Sequence, residues 1–257
     1  MLDKFKFLLF FILIIVLFVL IFLVNWEKDM YTFYNEKKIE LNFEGKKDIS
    51  EVKKQFILEM VRSAQYANYQ IVEEQKLIKK ANKSFNKTSF VSKFQRIELQ
   101  KIVDRYGLEQ KLEKLEKEQW SNLFDELWTR VEIVPVRLTL AQAITESAWG
   151  DSRFAKDGHA FFGIHCYEEG CGMEIGSRNE FVKSYPNMQA SVEDYMLFLN
   201  SKPGTEKFRT ARQLYLKDHD LNALVESLDG YSQIGGEYFS IINDLLMNYI
   251  PDDIANY

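Results

Sequence analysis

An unbroken apolar run from Phe7 to Val24 limits the folds open to this chain more than any other feature. Its 18 residues are all Leu, Ile, Val or Phe. As a helix they span about 27 Å, close to the ~30 Å hydrocarbon core of a bilayer. A helix apolar on every side suits lipid better than the core of one small domain. A cleaved signal peptide would carry a shorter apolar region, about 7–15 residues, ending at small residues. Here the run passes into Asn25, Trp26 and Glu27, with a Trp where an interfacial anchor sits. The expectation is an uncleaved signal anchor: residues 1–6 a cytoplasmic tail, 7–24 one transmembrane helix. Lys4, Lys6 and the amino terminus outweigh Asp3, whereas Glu27, Lys28 and Asp29 mix their signs. The positive-inside rule therefore places everything after residue 24 across the membrane.

The chain beyond residue 24 is long enough for one domain with an extension. The whole sequence has 33 basic and 38 acidic residues, a formal net charge of −5, and no long basic block. That balance argues against a nucleic-acid partner, and no nucleotide-binding motif stands out. Cys166 and Cys171 are the only cysteines. Across the membrane they would meet an oxidising compartment, where a close pair is usually a disulfide. Two free thiols are the expectation for the reverse orientation. With His159 and His165 the pair also supplies zinc-type ligands, but its spacing is loose for a structural site. A disulfide and no metal are expected.

Residues 25–48 are polar, charged and aperiodic, and read as a tether. From Ile49 the pattern changes: Val52, Phe56, Met60 and Ala64 recur every four residues beside Ile57 and Val61. This predicts an amphipathic helix to about residue 80. The Asn, Ser and Thr of 82–92 predict a connection. A second helix follows from about 91–94 to Tyr106, stopped by Gly107. Residues 110–117 predict a solvated, salt-paired helix, and Trp120, Leu123, Phe124 and Leu127 another apolar stripe. Residues 49–130 thus form a helical extension without evident chemistry. Pro135 opens the next helix, predicted over Leu138 to Trp149 and ended by Gly150. The Gly- and aromatic-rich 158–186 predicts a small hairpin or irregular lobe. Ser191 is expected to cap a helix over Val192 to Leu199, with Asp194 completing a weak capping box. Helical patterns resume at 211–216, 221–228 and 238–249. The fold class is α+β, mostly helical with one small β element.

Chemistry concentrates on the helix around Glu146. Gln142, Glu146 and Trp149 share one face by the three- and four-residue rule, on a segment nearly free of charge. A carboxyl in apolar surroundings stays protonated to higher pH, as a general acid at a glycosidic oxygen requires. Spacing alone fits an ordinary solvated Glu equally well.

The wording of the motif goes further. Leu140-Ala-Gln-Ala-Ile-Thr-Glu-Ser-Ala-Trp-Gly150, then Ser152-Arg-Phe-Ala155 and Phe161-Phe-Gly-Ile164, resembles the peptidoglycan glucosaminidases, glycoside hydrolase family 73, in their Bax-like branch. Cys166-Tyr-Glu-Glu-Gly-Cys-Gly172, the stretch Phe181 to Tyr195, and Asn200-Ser201-Lys202-Pro203 look similar too. So does Tyr231-Ser232 with Gly235, Gly236 and Tyr238. The likeness runs over roughly 131–250 in unbroken motif order, and 49–130 looks like the same branch less distinctively.

The resemblance implies a lysozyme-like catalytic domain over 131–250, with a groove between a helical lobe and a small β-lobe. It makes Glu146 the general acid and Tyr231 a groove residue supporting substrate or transition state. Phe162 and Gly163 become the turn that shapes the groove floor, and Trp149 and Gln142, placed by spacing on the Glu146 face, are expected to bind substrate with them. A second carboxylate would lie about 5–5.5 Å or 6.5–9.5 Å from the first. Of Glu168, Glu169, Glu174 and Glu180, the last two are the strongest choices, against the default of exposed surface charge. Trp149, Phe161, Tyr167 and Tyr185 could stack on sugars or pack in the core. The implied protein is a single-pass enzyme of the bacterial inner membrane with its catalytic domain in the periplasm. It would cut the β-1,4 bond between N-acetylglucosamine and N-acetylmuramic acid in peptidoglycan glycan strands, without a cofactor. Protein partners are not indicated. A lytic transglycosylase with the same Glu, and a non-catalytic wall-binding protein, are the alternatives.

Overall fold

The computed structural model describes residues 13–17, 38–176, 180–228 and 236–257. Two compact units divide at residue 40. In the first, residues 13–17 are helical. Most of the apolar run 7–24 lies outside the described residues, and among those described no helix is long and apolar enough to cross a membrane. The second unit, 41–257, contains both the helical extension and everything downstream of it. Residues 41–48, at the end of the expected tether, join this unit: Lys47 N–H donates to Asn248 O, and Lys46 Nζ to Met247 O.

The spine of the unit is α1, Glu51–Thr88, opened by Ser50, whose hydroxyl accepts from Lys53 N. It packs most extensively on α6 (Met188–Ser201), and also on α4 (Val136–Ser147) and α3 (Lys117–Arg130). Its stripe of Phe56, Ile57, Met60, Val61 and Ala64 is buried as the spacing requires. The helix does not stop near 80. Ile78, Ala81 and Phe85 prolong the same stripe, and Phe85 packs on Trp120 and Phe124. Tertiary burial overrides the polar composition of 82–88, and Ser89 (φ 53°) ends the helix in a left-handed turn.

α2, Lys93–Arg105, starts from a capping box between Ser92 and Gln95, and the chain turns at Gly107 with φ 68°. The solvated helix expected at 110–117 is absent. Only a 3-10 turn forms at Leu112–Lys114, where Leu112 is buried with its N–H bound to Gln100 Oε1 while Leu115 is only half-buried. α3 buries Trp120, Leu123, Phe124 and Leu127. Arg212, fully buried on α7 (Glu206–Asp218), donates to Glu132 O, Thr129 O and Asn200 Oδ1, so its charge meets the carbonyl end of α3.

α4 is buried around almost its whole circumference. Its entry is clamped by Asn68 of α1, whose Oδ1 accepts from Val134 N while Nδ2 donates to Val134 O and Asn256 O. Asn256 Oδ1 in turn accepts from Val136 N, an amide that helix geometry leaves unpaired.

After the short α5, Arg153–Gly158, three strands form the β element: β1 His165–Cys166, β2 Gly172–Glu174 and β3 Phe181–Lys183. They are antiparallel in the order β1-β3-β2, with Cys166 and Glu174 both opposite Phe181. Gly172 is required by close approach, since a Cβ there would stand 1.9 Å from Val182 O. Cys166 and Cys171 form a disulfide that closes the β1–β2 connection.

α6 begins at Asn187, whose Oδ1 accepts from Ala190 N, and not at Ser191. Ser191 is buried one turn in, its hydroxyl accepting from Phe161 N, and Asp194 binds Lys183 and Tyr185 instead of capping. α8, Leu221–Glu226, and α9, Gly236–Asn248, complete the unit, and α9 lies against α4. The class is mostly helical with a small three-stranded sheet.

Candidate active site

Glu146 sits in the last turn of α4, the carbonyl end of the helix, which disfavours negative charge. α4 stops at Ser147, two residues before the predicted Trp149. Ala148, Trp149 and Gly150 come next, with φ of 51°, 62° and 78°. Ser147 makes this reversal: its hydroxyl donates to Ala143 O and accepts from Gly150 N at 2.8 Å. The turn carries Trp149 away from the helix face it was expected to share. Its ring packs edge-on to Phe56 and Tyr249, under Lys53 Nζ at 4.4 Å.

Glu146 opens onto a groove of about 820 Å3. One wall is the turn Phe162 to His165 with Tyr167. The lining also takes in the end of α6, the loop Lys202 to Thr205, Phe208, and Ser227 with Leu228. Gly163 has φ 62°, and a Cβ built on it would lie 3.6 Å from Glu146 Oε2, so this turn passes directly over the carboxyl. Phe162 is buried and stacked on Tyr195, with ring centres 3.9 Å apart, which fixes the turn against α6.

Behind the carboxyl lies a buried polar chain. Tyr195 O–H donates to Gln142 Oε1, and Gln142 Nε2 donates to Tyr238 Oη at 2.9 Å. Tyr238, on α9, hydrogen-bonds to Glu146. Gln142 is wholly buried, so it reaches the groove only through Tyr238. Burial pushes the Glu146 carboxyl above its ordinary pKa, and the Tyr238 hydroxyl partly offsets the rise. Both tyrosines are pushed up by burial and by the neighbouring carboxylate, and stay protonated donors.

Glu180 and Glu174 stand differently. Glu180 Oε1 accepts from His165 Nδ1 at 2.9 Å, and His165 lines the groove, which brings Glu180 to its margin. The Glu174 side chain is exposed on the edge strand β2. Among the described residues, Glu146 is the one carboxylate in the groove lining. Tyr231 lies outside the described residues. The disulfide removes both thiolates from the zinc arrangement with His159 and His165, and among the described residues no cluster of three metal-type ligands occurs. Periodicity and composition do not single out Tyr238 or Tyr195 as site residues. Tyr238 falls within a matching motif, yet nothing in its spacing ties it to a residue 92 positions earlier.

Residues 121–245 match the family model described as mannosyl-glycoprotein endo-beta-N-acetylglucosaminidase, Glucosaminidase. That match takes in a little under half of the chain. The chain is also similar to Protein bax of Escherichia coli (strain K12), 30% identical over 122 residues, which is 46% of this chain and 43% of that protein. It therefore spans less than half the length of that curated relative. No solved structure matches significantly. The matched segment includes α4, the sheet and α9 as far as Leu245, hence every described residue of the groove lining.

Proposed function

We propose that this protein is a peptidoglycan hydrolase of lysozyme-like architecture, with Glu146 as general acid at the β-1,4 bond between N-acetylglucosamine and N-acetylmuramic acid. The observation that carries the reading is the Glu146 carboxyl itself: in the lining of a groove, pushed by burial above its ordinary pKa, and hydrogen-bonded to Tyr238. A proton held to higher pH is what the departing sugar oxygen needs. Within the reading, residues 7–24 anchor the enzyme in the inner membrane and residues 41–257 act in the periplasm. The Cys166–Cys171 disulfide is in keeping with that oxidising compartment. Glu180, steered by His165, is the better placed second carboxylate.

A transglycosylase has one specific observation in its favour. A lone carboxylate among the described lining residues suits a sugar that closes on its own hydroxyl, with no water to activate. Digestion of purified peptidoglycan by the full chain, followed by mass spectrometry of reduced products, decides between them. Reducing N-acetylglucosamine ends, lost in Glu146→Gln, are expected. Anhydro-muramic ends would move the reaction to transglycosylation, and no release by either form would leave a binding protein.

A further inference from the structure

We propose that Tyr167 is a sugar-stacking platform at the rim of the groove, and that the Cys166–Cys171 disulfide holds it there, which makes substrate affinity depend on the redox state of that bond. The proposal rests on the glycosidase reading and names one of its subsites. Four aromatics near the motif could meet a sugar, and three have other work. Phe161 is buried against Phe56, Trp149 packs on Phe56 and Tyr249, and Tyr185 donates its hydroxyl to Asp194 at 2.7 Å. Tyr167 alone of the four lines the Glu146 groove, and its side chain is 73% exposed.

An exposed ring on an unsupported loop would not hold a fixed pose. Tyr167 is instead the first residue of a connection closed at both ends. Cys166 is paired into the sheet opposite Phe181, and Cys171 N–H donates to Glu168 O. Gly170 supplies the reversal with φ 82°, and the disulfide ties the two ends. The backbone that carries the ring is thus fixed before substrate arrives, which lowers the ordering cost of binding. Its face offers the apolar surface that the C–H face of a pyranose needs, in a groove that Pro203 also lines. Both cysteines are only half-buried, so a dithiol such as dithiothreitol can reduce the bond to two thiols, itself becoming the cyclic disulfide.

The test uses the full chain on soluble peptidoglycan fragments, measuring kcat and KM with and without dithiothreitol, together with retention of the Glu146→Gln form on insoluble peptidoglycan. Tyr167→Ala is expected to raise KM roughly tenfold with kcat little changed, and Tyr167→Phe to behave like the parent. Reduction should raise KM of the parent similarly and leave Tyr167→Ala unmoved. An unchanged KM in Tyr167→Ala, or a reductant effect as large in that variant as in the parent, overturns the proposal. Should the protein fail to cleave, the functional reading falls. Retention on peptidoglycan that drops in Glu146→Gln/Tyr167→Ala relative to Glu146→Gln would still uphold the platform, and equal retention would remove it.

Discussion

At Glu146 two influences act in opposite directions on one proton. Burial favours the neutral acid, while the Tyr238 hydroxyl stabilises the carboxylate, and burial is the larger. Among the described residues, Tyr238 from α9, Tyr195 through its field from α6, and the Gly163 turn after α5 approach the carboxyl. Because Gln142 donates to the Tyr238 oxygen, that hydroxyl's own hydrogen is left for Glu146. Removing the hydroxyl in Tyr238→Phe therefore raises the Glu146 pKa further. A general acid works below its pKa, so the alkaline limb of the kcat/KM profile should move to higher pH, with kcat reduced roughly ten- to a hundredfold by loss of orientation. A limb that stays put, or moves to lower pH, would mean Tyr238 does not govern this proton.

At the scale of elements, the apolar stripes were legible and the breaks between them were not. Phe56, Met60 and Ala64 announced α1, but its last two turns depend on Phe85 meeting Trp120 and Phe124, partners some 35–39 positions away. Ser191 looks like a cap because Ser usually is one. Its hydroxyl serves Phe161 instead, and Asn187 does the capping. The same limit touched the site: the motif singles out Glu146, which lines the groove, whereas helical spacing misplaces Trp149 because three residues there are not helical. Gln142 was expected beside substrate and is a buried link between two tyrosines, a role set by α6 and α9. Asn68 is the clearest case of a polar residue working between elements. In Asn68→Ala the Val134 N–H and two carbonyls lose their partner in a buried setting, at a cost of about 2–3 kcal/mol. For a unit of this size that corresponds to a fall in Tm of roughly 5–10 °C, and an unchanged thermal melt would show the clamp to be dispensable.

For the whole molecule, the proposed topology and the disulfide make a joint prediction. Both cysteines are bridged. In intact cells a membrane-impermeant maleimide should label neither until a reductant is added, and then both. Labelling that appears only after cell lysis, with no reductant needed, would put residues 41–257 on the reducing side and overturn the orientation read from Lys4 and Lys6.

The Asn68–Asn256 clamp has a further consequence, for the order of events when the chain is made. Asn256 lies 188 positions after Asn68 and 120 after Val136, yet it completes the start of the helix that bears Glu146. Those bonds cannot exist while residue 256 is still unsynthesised, so α4 is seated late whatever forms first. Contacts of such separation slow closure. The entry of this helix therefore gains its last hydrogen-bond partners from a segment joined 120 positions after it.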